Sequence, residues 1–405
     1  MWSTGFRKPT AAAIHLRAAR ASNFTRNQDI ILKSISYHTT AFQQQDDPVG
    51  PSKILASGDV EPAKLTSHME EMTPETRILA EKLLQGNNKS LSRAITLCES
   101  TLSTDRAQAS SLLQHVLMAT ESRDHHKPLF RIGLTGPPGS GKSSLIEVLG
   151  RLATSKGEKV AVLAIDPSSE RSGGSILGDK TRMELLSQDP NAFVRPTPAR
   201  GHLGGIARHT ADAALLCEAG GYNVLMIETV GGGQNDIAVA ELVDCLLLIL
   251  PPAAGDELQG IKKGVVEVAD IVVINKADGD MERAARRSVV EYKNALHFGG
   301  MRYKSWSPPV LSCSAKMGNG VDIVWAKVCE FERIMAVSGA LQQKRAEQSR
   351  QLFWSNIKNE ITERLRTDDY LRKIIVGVEE QVMQGKMASR AAAYLIANDF
   401  LVRGS

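Results

Sequence analysis

Hydrophobic residues are spaced differently in the middle of this chain than at its two ends. Between residues 126 and 325, short apolar runs are separated by segments long enough for a helix. This alternation predicts an α/β fold, in which a mostly parallel sheet is flanked by helices on both faces. The runs that we expect to form strands are Phe130–Leu134, Val160–Ile165, Val224–Ile227, Cys245–Leu250, Ile271–Ile274 and Val310–Cys313.

The two flanking regions have helical periodicity instead. Within residues 65–125, Thr73 is followed by Pro and Glu, which is typical of a helix start, and Ser90 is expected to cap the next helix. Residues 326–405 place apolar side chains at helical spacing among many Lys, Arg and Glu residues. The α/β domain is therefore expected to have helical N-terminal and C-terminal extensions.

The beginning of the chain differs in composition from the rest. Residues 1–44 contain many arginines and lysines, scattered Ser, Thr and Ala, and a single acid, Asp29. This composition is typical of a mitochondrial transit peptide, and a disordered basic tail is the alternative. Residues 45–64 contain Pro and Gly among polar residues and are expected to be a linker. The expected location is the mitochondrial matrix.

Overall composition argues against several classes of function. The formal net charge is +4 and aromatic residues make up 5% of the chain, which favours neither a nucleic-acid surface nor base-stacking platforms. The five cysteines contain no C-x-x-C pair, so neither a disulfide framework nor a structural zinc site is expected. No apolar run is long enough for a membrane-spanning helix, so we expect no membrane insertion.

The segment GLTGPPGSGKSS, residues 133–144, contains the pattern G-x-x-x-x-G-K-[ST] after an apolar run. Glycines let backbone N–H groups converge on phosphate oxygens, and the start of the following helix adds its positive dipole end. Lys142 is expected to reach the outer phosphates and the Ser143 hydroxyl to bind Mg²⁺. The residues expected around the phosphates are Gly136, Pro137, Pro138, Gly139, Ser140, Gly141, Lys142, Ser143 and Ser144.

A second motif indicates which base the nucleotide carries. The segment INKAD ends an apolar run, and its N-K-x-D pattern is typical of proteins that read guanine. A carboxylate at Asp278 can accept hydrogen bonds from the N1–H and the exocyclic amine of guanine, whereas adenine would leave it unpaired. The segment SCSAK follows the next run and supplies a second contact to the base. The residues expected at the base are Asn275, Lys276, Asp278, Ser314, Ala315 and Lys316.

Carboxylates that could hold magnesium or the attacking water follow other apolar runs. Glu228 ends one run, and Gly231 behind it can sense the terminal phosphate. Asp166 ends another run, at the strand edge where such sheets bind ligands. Asp179 lies further along, and a solvated loop acid is the alternative interpretation. Together with Ser143, these three carboxylates are the expected magnesium ligands.

Four segments together resemble the MeaB family of GTPases: GPPGSGKSS, AIDPSSERSGGSILGDKTRM, IETVGGGQND and LLLILPPAAGDELQGIKKG. The resemblance covers about residues 65–400. It implies a GTP-hydrolysing chaperone of methylmalonyl-CoA mutase, which gates loading and protection of the adenosylcobalamin cofactor and reactivation of the mutase. The cofactor would be held by the mutase and not by this chain. The family also implies a homodimer joined partly through the C-terminal helices, and a mitochondrial location for its animal members.

The resemblance also implies roles for single residues. The residues that match the family's catalytic positions are Lys142, Asp166, Asp179, Glu228 and Lys262. The segment from Gly255 to Lys262 matches a mobile loop that transmits the nucleotide state, with Gln259 and Lys262 as its expected contacts. The chain departs from the family pattern at Gly232 and Asp236, where relatives commonly carry Val and Glu, and Asn275 replaces a frequent Thr.

Two other functions are compatible with the phosphate loop. A nickel-delivery GTPase shares this class but usually carries Cys and His clusters, and a small-molecule kinase would need an acceptor pocket and no guanine reader. The segment RGHLGG approaches a cobalt-binding histidine pattern, but Arg200 replaces the acid that would orient His202. Because no glutamine or arginine finger is evident, we expect slow hydrolysis by the chain alone and acceleration by the mutase.

Overall fold

A computed structural model of the chain describes residues 70–123, 127–166, 183–198, 203–229, 239–252, 263–297 and 302–403. All of them belong to one compact unit, His68–Ser405. The predicted transit peptide and linker lie outside these ranges. In the part that is described, no helix is both long enough and apolar enough to cross a membrane.

Within residues 70–123, three helices precede the sheet, as the periodicity predicts. They are α1 (Pro74–Leu84), α2 (Asn88–Cys98) and α3 (Ser103–Glu121). Thr73 caps α1 by accepting a hydrogen bond from the Thr76 backbone N–H. The predicted cap of α2 is wrong: Asn87 is the N-cap, and its side chain accepts from the backbone N–H of Ser90. Asn and Ser are both favourable N-cap residues. Ser90 already lies in the first turn of the helix, so Asn87, which precedes that turn, is the N-cap.

The central sheet has seven strands in the order β3-β2-β4-β1-β5-β6-β7, and every neighbouring pair is parallel. The strands are β1 (Phe130–Thr135), β2 (Val160–Asp166), β3 (Ala192–Pro198), β4 (Val224–Glu228), β5 (Cys245–Leu250), β6 (Ile271–Ile274) and β7 (Val310–Ser312). The prediction of a mostly parallel sheet flanked by helices is confirmed. Strand β3 was not among the predicted strands. It contains two prolines and lies at the edge of the sheet, where missing N–H donors are tolerated.

Helices cover both faces of the sheet. Those between the strands are α4 (Lys142–Ser155), α5 (Glu184–Ser187), α6 (Leu203–Ala219), α7 (Lys263–Val268) and α8 (Glu282–His297). Successive residues of β5 point to opposite faces, so Leu247 packs in the same cluster as the apolar side of α4, while Leu246 packs with α1–α3 and α6. Leu248, on the same side as Leu246, belongs to a third cluster with α7 and α8.

The chain continues after β7 in four helices. They are α9 (Val321–Val337), α10 (Ala340–Thr367), α11 (Asp369–Met383) and α12 (Ser389–Arg403). Helix α9 packs its apolar side on the sheet together with α4. Leu341, near the start of α10, is the one buried residue of that helix, and Leu371 is the one buried residue of α11. The C-terminal helices therefore extend away from the domain core, which agrees with the predicted C-terminal helical extension.

Candidate nucleotide-binding site

The Gly-rich loop connects β1, the middle strand between β4 and β5, to α4. Gly136 has a φ of 144°, and a Cβ atom there would lie 1.9 Å from the Ile249 carbonyl oxygen. Gly141 has a φ of 89° and forms the N-cap of α4. Both positions require glycine, because the loop turns sharply and passes close to neighbouring strands. Pro138 and Gly139 of the loop are exposed, as is Ser144 in the first turn of α4.

Lys142 begins α4 and folds back over the loop. Its Nζ donates to the Gly136 carbonyl oxygen at 2.9 Å and to the Pro137 carbonyl oxygen at 3.2 Å, and the residue is only 7% exposed. The ammonium group is therefore held at the mouth of the loop, where the outer phosphates of a nucleotide would lie. Ser140, within the loop, is fully buried.

Ser143 and Glu228 meet across the two middle strands. Glu228 ends β4 in register with Leu134 of β1, so its side chain emerges next to the phosphate loop. The Ser143 hydroxyl donates to Glu228 Oε1 at 2.6 Å. Two oxygen ligands of the kind that Mg²⁺ prefers are thus adjacent at the mouth of the loop. Because these are hard oxygen donors beside the lysine of the loop, the residues fit a magnesium ion.

Asp166 ends β2, the strand that pairs with β4, at the same edge of the sheet. The structure describes its backbone but not its side chain. Asp179, Gly231 and Lys262 lie outside the described residues, as do Gln259, Gly232, Asp236 and His202. Their predicted roles therefore remain predictions.

Asn275 connects the phosphate loop to the base-reading segments. Its Nδ2 donates to the backbone oxygens of Ser140 at 3.0 Å and Gly141 at 3.3 Å, and its Oδ1 accepts from the Ala315 N–H at 3.0 Å. The residue is 1% exposed, so these bonds form away from competing water. Asn275 was predicted to contact the base, but these hydrogen bonds to the phosphate loop and to Ala315 were not predicted. We call this set of hydrogen bonds the Asn275 brace. The only sequence signal was an amide at the end of a fully apolar strand.

Asp278 and Ser314 are also joined directly. The Ser314 hydroxyl donates to Asp278 Oδ1 at 2.6 Å and accepts from the Met317 N–H at 3.1 Å. This leaves the second carboxylate oxygen of Asp278 available to a ligand. Lys276 and Lys316 are both exposed. Lys276 has a φ of 60°, a conformation that costs a non-glycine residue about 1–2 kcal/mol. An open cavity of about 570 Å³ lies beside Asp278 and Ser314.

A larger open cleft of about 940 Å³ lies elsewhere, among α1, α2 and the start of α3. Charged, polar and apolar side chains from those helices line it, and none of the motif residues is among its described lining residues. We place the candidate site at the Gly-rich loop, because the phosphate, metal and base-reading groups converge there and not at the larger cleft.

Parallel strands with a Gly-rich loop at the middle strand, and an N-K-x-D segment braced against that loop, define a P-loop GTPase fold. A family model described as "Methylmalonyl Co-A mutase-associated GTPase MeaB" matches residues 91–369. The chain belongs to this MeaB family of GTPases.

Individual relatives agree with the family assignment. The chain is 45% identical over 349 residues to the mitochondrial methylmalonic aciduria type A homolog of Mus musculus, covering 84% of each chain. It is 39% identical over 323 residues to GTPase ArgK of Escherichia coli, covering 79% of this chain and 96% of the relative. A solved structure titled as a LAO/AO transport system kinase has a TM-score of 0.61 and 31% identity, covering 82% of this chain and all of that one.

Proposed function

We propose that this protein is a GTP-hydrolysing chaperone that gates the loading, protection and reactivation of adenosylcobalamin in methylmalonyl-CoA mutase. One observation most directly supports GTP binding: the Asn275 side chain forms hydrogen bonds with both the phosphate loop and Ala315. These bonds join the phosphate-binding and guanine-recognising segments into one site. The mutase part is supported by the name of the family, which describes its members as associated with methylmalonyl-CoA mutase.

The nucleotide is bound at two ends. Backbone N–H groups of the loop and Lys142 hold the phosphates, and the buried start of α4 directs its positive end at them. Asp278 accepts hydrogen bonds from the guanine edge, and Lys276 and Lys316 flank the base. The hydrogen bond from Ser314 restrains the Asp278 carboxylate, so this carboxylate is already oriented before the nucleotide binds.

Magnesium accompanies the nucleotide, and Ser143 and Glu228 would hold it, directly or through water. When bound, the ion offsets negative charge on the phosphates. Lys142 contributes a second positive charge from a nearly buried position. Asp166, Asp179 and Lys262 are proposed to complete the site around the attacking water and the terminal phosphate, in a reaction that depends mainly on positioning and electrostatics.

The C-terminal helices are proposed to join two copies of the chain. Large apolar side chains on them are exposed, including Phe353 at 58%, Trp354 at 54% and Tyr394 at 67%. Exposed aromatic groups of this size are typical of an interface. The proposed location is the mitochondrial matrix, which is supported by the basic N-terminus and by the name of the mouse relative.

Phosphoryl transfer to a small molecule is a second candidate, because the solved relative with 31% identity is titled as a kinase. The two candidates differ in the fate of the terminal phosphate. A kinase would transfer labelled phosphate from the nucleotide to a small acceptor molecule, whereas a GTPase releases it as inorganic phosphate.

The test is the rate of phosphate release from GTP by the full chain, with and without a methylmalonyl-CoA mutase. We expect slow release by the chain alone and at least about tenfold faster release with the mutase, which corresponds to about 1.4 kcal/mol of barrier. Equal rates with and without the mutase would contradict the chaperone function. Release at the accelerated rate by the chain alone would contradict partner control.

A further inference from the structure

Two buried aspartates lie at the edge of the sheet opposite the phosphate loop. Asp244 directly precedes β5 and Asp270 directly precedes β6, and they are 0% and 1% exposed. A carboxylate that is removed from water needs compensating charges or hydrogen bonds. Much of that compensation comes from the start of α10, the first of the C-terminal helices that extend from the domain.

Asp244 is held by two arginines. Arg131, at the start of β1, donates to Asp244 Oδ1 at 2.7 Å, and Arg345 of α10 donates to Asp244 Oδ2 at 2.6 Å. Burial opposes ionisation of Asp244, but Arg131 and Arg345 hold its pKa below the ordinary value. Arg345 also donates to the Leu129 carbonyl oxygen at 2.6 Å, so α10 is fixed to the beginnings of both β1 and β5.

Asp270 is held differently. Its Oδ2 accepts a hydrogen bond from the Leu246 N–H at 2.8 Å, but its two cations are more distant, Arg302 at 3.8 Å and Lys344 at 3.7 Å. Burial raises the pKa of Asp270 and lowers that of Lys344. The carboxylate is therefore shared between two cations from different elements, and neither of them forms a short hydrogen bond with it.

Lys344 is the side chain that joins the two aspartates. It is 9% exposed, lies 3.7 Å from Asp270 and donates to the Asp244 carbonyl oxygen at 2.7 Å. On the other side, Arg302 donates to the Val268 carbonyl oxygen at 2.9 Å, at the last residue of α7. The cluster thus connects the end of α7, the starts of β5 and β6, and the first turns of α10.

The strands that begin in this cluster end at the nucleotide site. β1 leads into the phosphate loop, and β6 leads into Asn275 and Asp278. Strand β6 has four residues, so its first and last residues are only about 10 Å apart at about 3.3 Å per residue. A shift of β6 caused by binding at Asp278 would therefore change the distances from Asp270 to Arg302 and Lys344.

We propose that this cluster couples nucleotide binding to the C-terminal helices, with Lys344 as the coupling residue. The proposal rests on the nucleotide binding of the proposed function and adds a route by which that site controls α10–α12. A merely structural role of Lys344 would lower stability without changing how the helices respond to nucleotide. The two roles can be separated because coupling between two sites is a free energy that can be measured apart from stability.

The test is hydrogen–deuterium exchange of residues 345–403 in the full chain, measured without nucleotide, with GDP, and with Mg²⁺ and a non-hydrolysable GTP analogue. In the natural chain we expect exchange in these helices to differ between the three conditions. Lys344→Met is expected to reduce that difference by about half or more, while the Kd for GDP changes by less than about threefold. Lys344→Arg is expected to restore the difference.

Lys358→Met is the matched control, because Lys358 is exposed on the same helix and is expected to leave the difference unchanged. If Lys344→Met does not fold, Arg302→Gln replaces it, with the same expected loss. The proposal is overturned if the variant responds to nucleotide as the natural chain does, or if the natural chain binds GDP and shows no difference in these helices. A natural chain that fails to bind GDP would instead overturn the proposed function.

Discussion

Ser143 and Glu228 are separated by 85 residues in the sequence, and their side-chain oxygens lie 2.6 Å apart. The contact arises because β1 and β4 are neighbours in register, so that a residue just beyond the phosphate loop meets the last residue of β4. It brings a hydroxyl and a carboxylate to the place where a magnesium ion would accompany the phosphates.

Replacing Ser143 with Ala removes one of these two oxygens. We expect Ser143→Ala to abolish most of the magnesium dependence of GTP binding and to slow hydrolysis by about 10²-fold or more, since the metal ion offsets phosphate charge. Titration of Mg²⁺ against phosphate release measures both effects. Ser155→Ala, at the exposed end of the same helix, is the control and is expected to behave like the natural chain. Unchanged magnesium dependence in Ser143→Ala would refute the assignment.

Asp278 is expected to determine base specificity. Asp278→Ala removes the carboxylate that pairs with the guanine edge and should weaken GDP binding by about 10²-fold or more, while ADP binding changes little. Competition between the two nucleotides for a fluorescent GDP analogue measures this. Asp280, two residues away and exposed, is not expected to contact the base, so Asp280→Ala should retain the preference for GDP. Equal losses in both variants would argue against a specific role for Asp278.

Asn275 is expected to matter for stability as well as for binding. Asn275→Ala leaves the carbonyl oxygens of Ser140 and Gly141 and the N–H of Ala315 without their present partner in a buried place. We expect a loss of about 1–3 kcal/mol in the free energy of unfolding, together with weaker GDP binding. Urea denaturation and GDP titration measure the two effects, and exposed Asn294→Ala is the control. A variant as stable as the natural chain would show that the brace is not needed.

Asp212 on α6 gives a prediction about pH. Burial raises its pKa from 3.8 to about 6, partly offset by Arg208, so the folded chain binds a proton more tightly than the unfolded chain. Between pH 4 and pH 6 the folded state therefore holds more protons, and this residue makes stability fall as pH rises. Asp212→Asn cannot ionise, so its stability relative to the natural chain should increase across this range and level off above it. Urea denaturation at several pH values measures the difference. A constant difference would contradict the raised pKa.

The sheet could be predicted from sequence where its strands are buried on both faces. Such strands read as uninterrupted apolar runs, and Cys245–Leu250 is buried at every position. Strand β3 could not be recognised in this way, because its Arg195 and two prolines interrupt the apolar pattern. Arg195 is accommodated at the sheet edge by the end of α2, where it pairs with the C-cap residue Glu99 at 2.7 Å. That contact depends on tertiary structure, and nothing in the sequence near Arg195 indicates it.

In the candidate site, too, some residues could be predicted from local sequence and others depend on tertiary contacts. Lys142 and Asp278 belong to short motifs whose spacing reflects local geometry, so their positions could be expected from sequence. The bond from Asn275 to Ser140 spans 135 residues and depends on how β6 lies beside the phosphate loop. The cluster around Asp244 and Asp270 likewise unites residues of separate elements, none of which forms a motif.

The most direct test of the central claim is calorimetric titration of the full chain with GDP and with ADP in the presence of Mg²⁺. The arrangement of Asp278, Ser314 and Asn275 predicts that GDP binds at least about 10²-fold more tightly than ADP, which corresponds to about 2.7 kcal/mol. ADP binding with the same affinity as GDP would contradict a guanine-specific site and, with it, a GTP-driven chaperone.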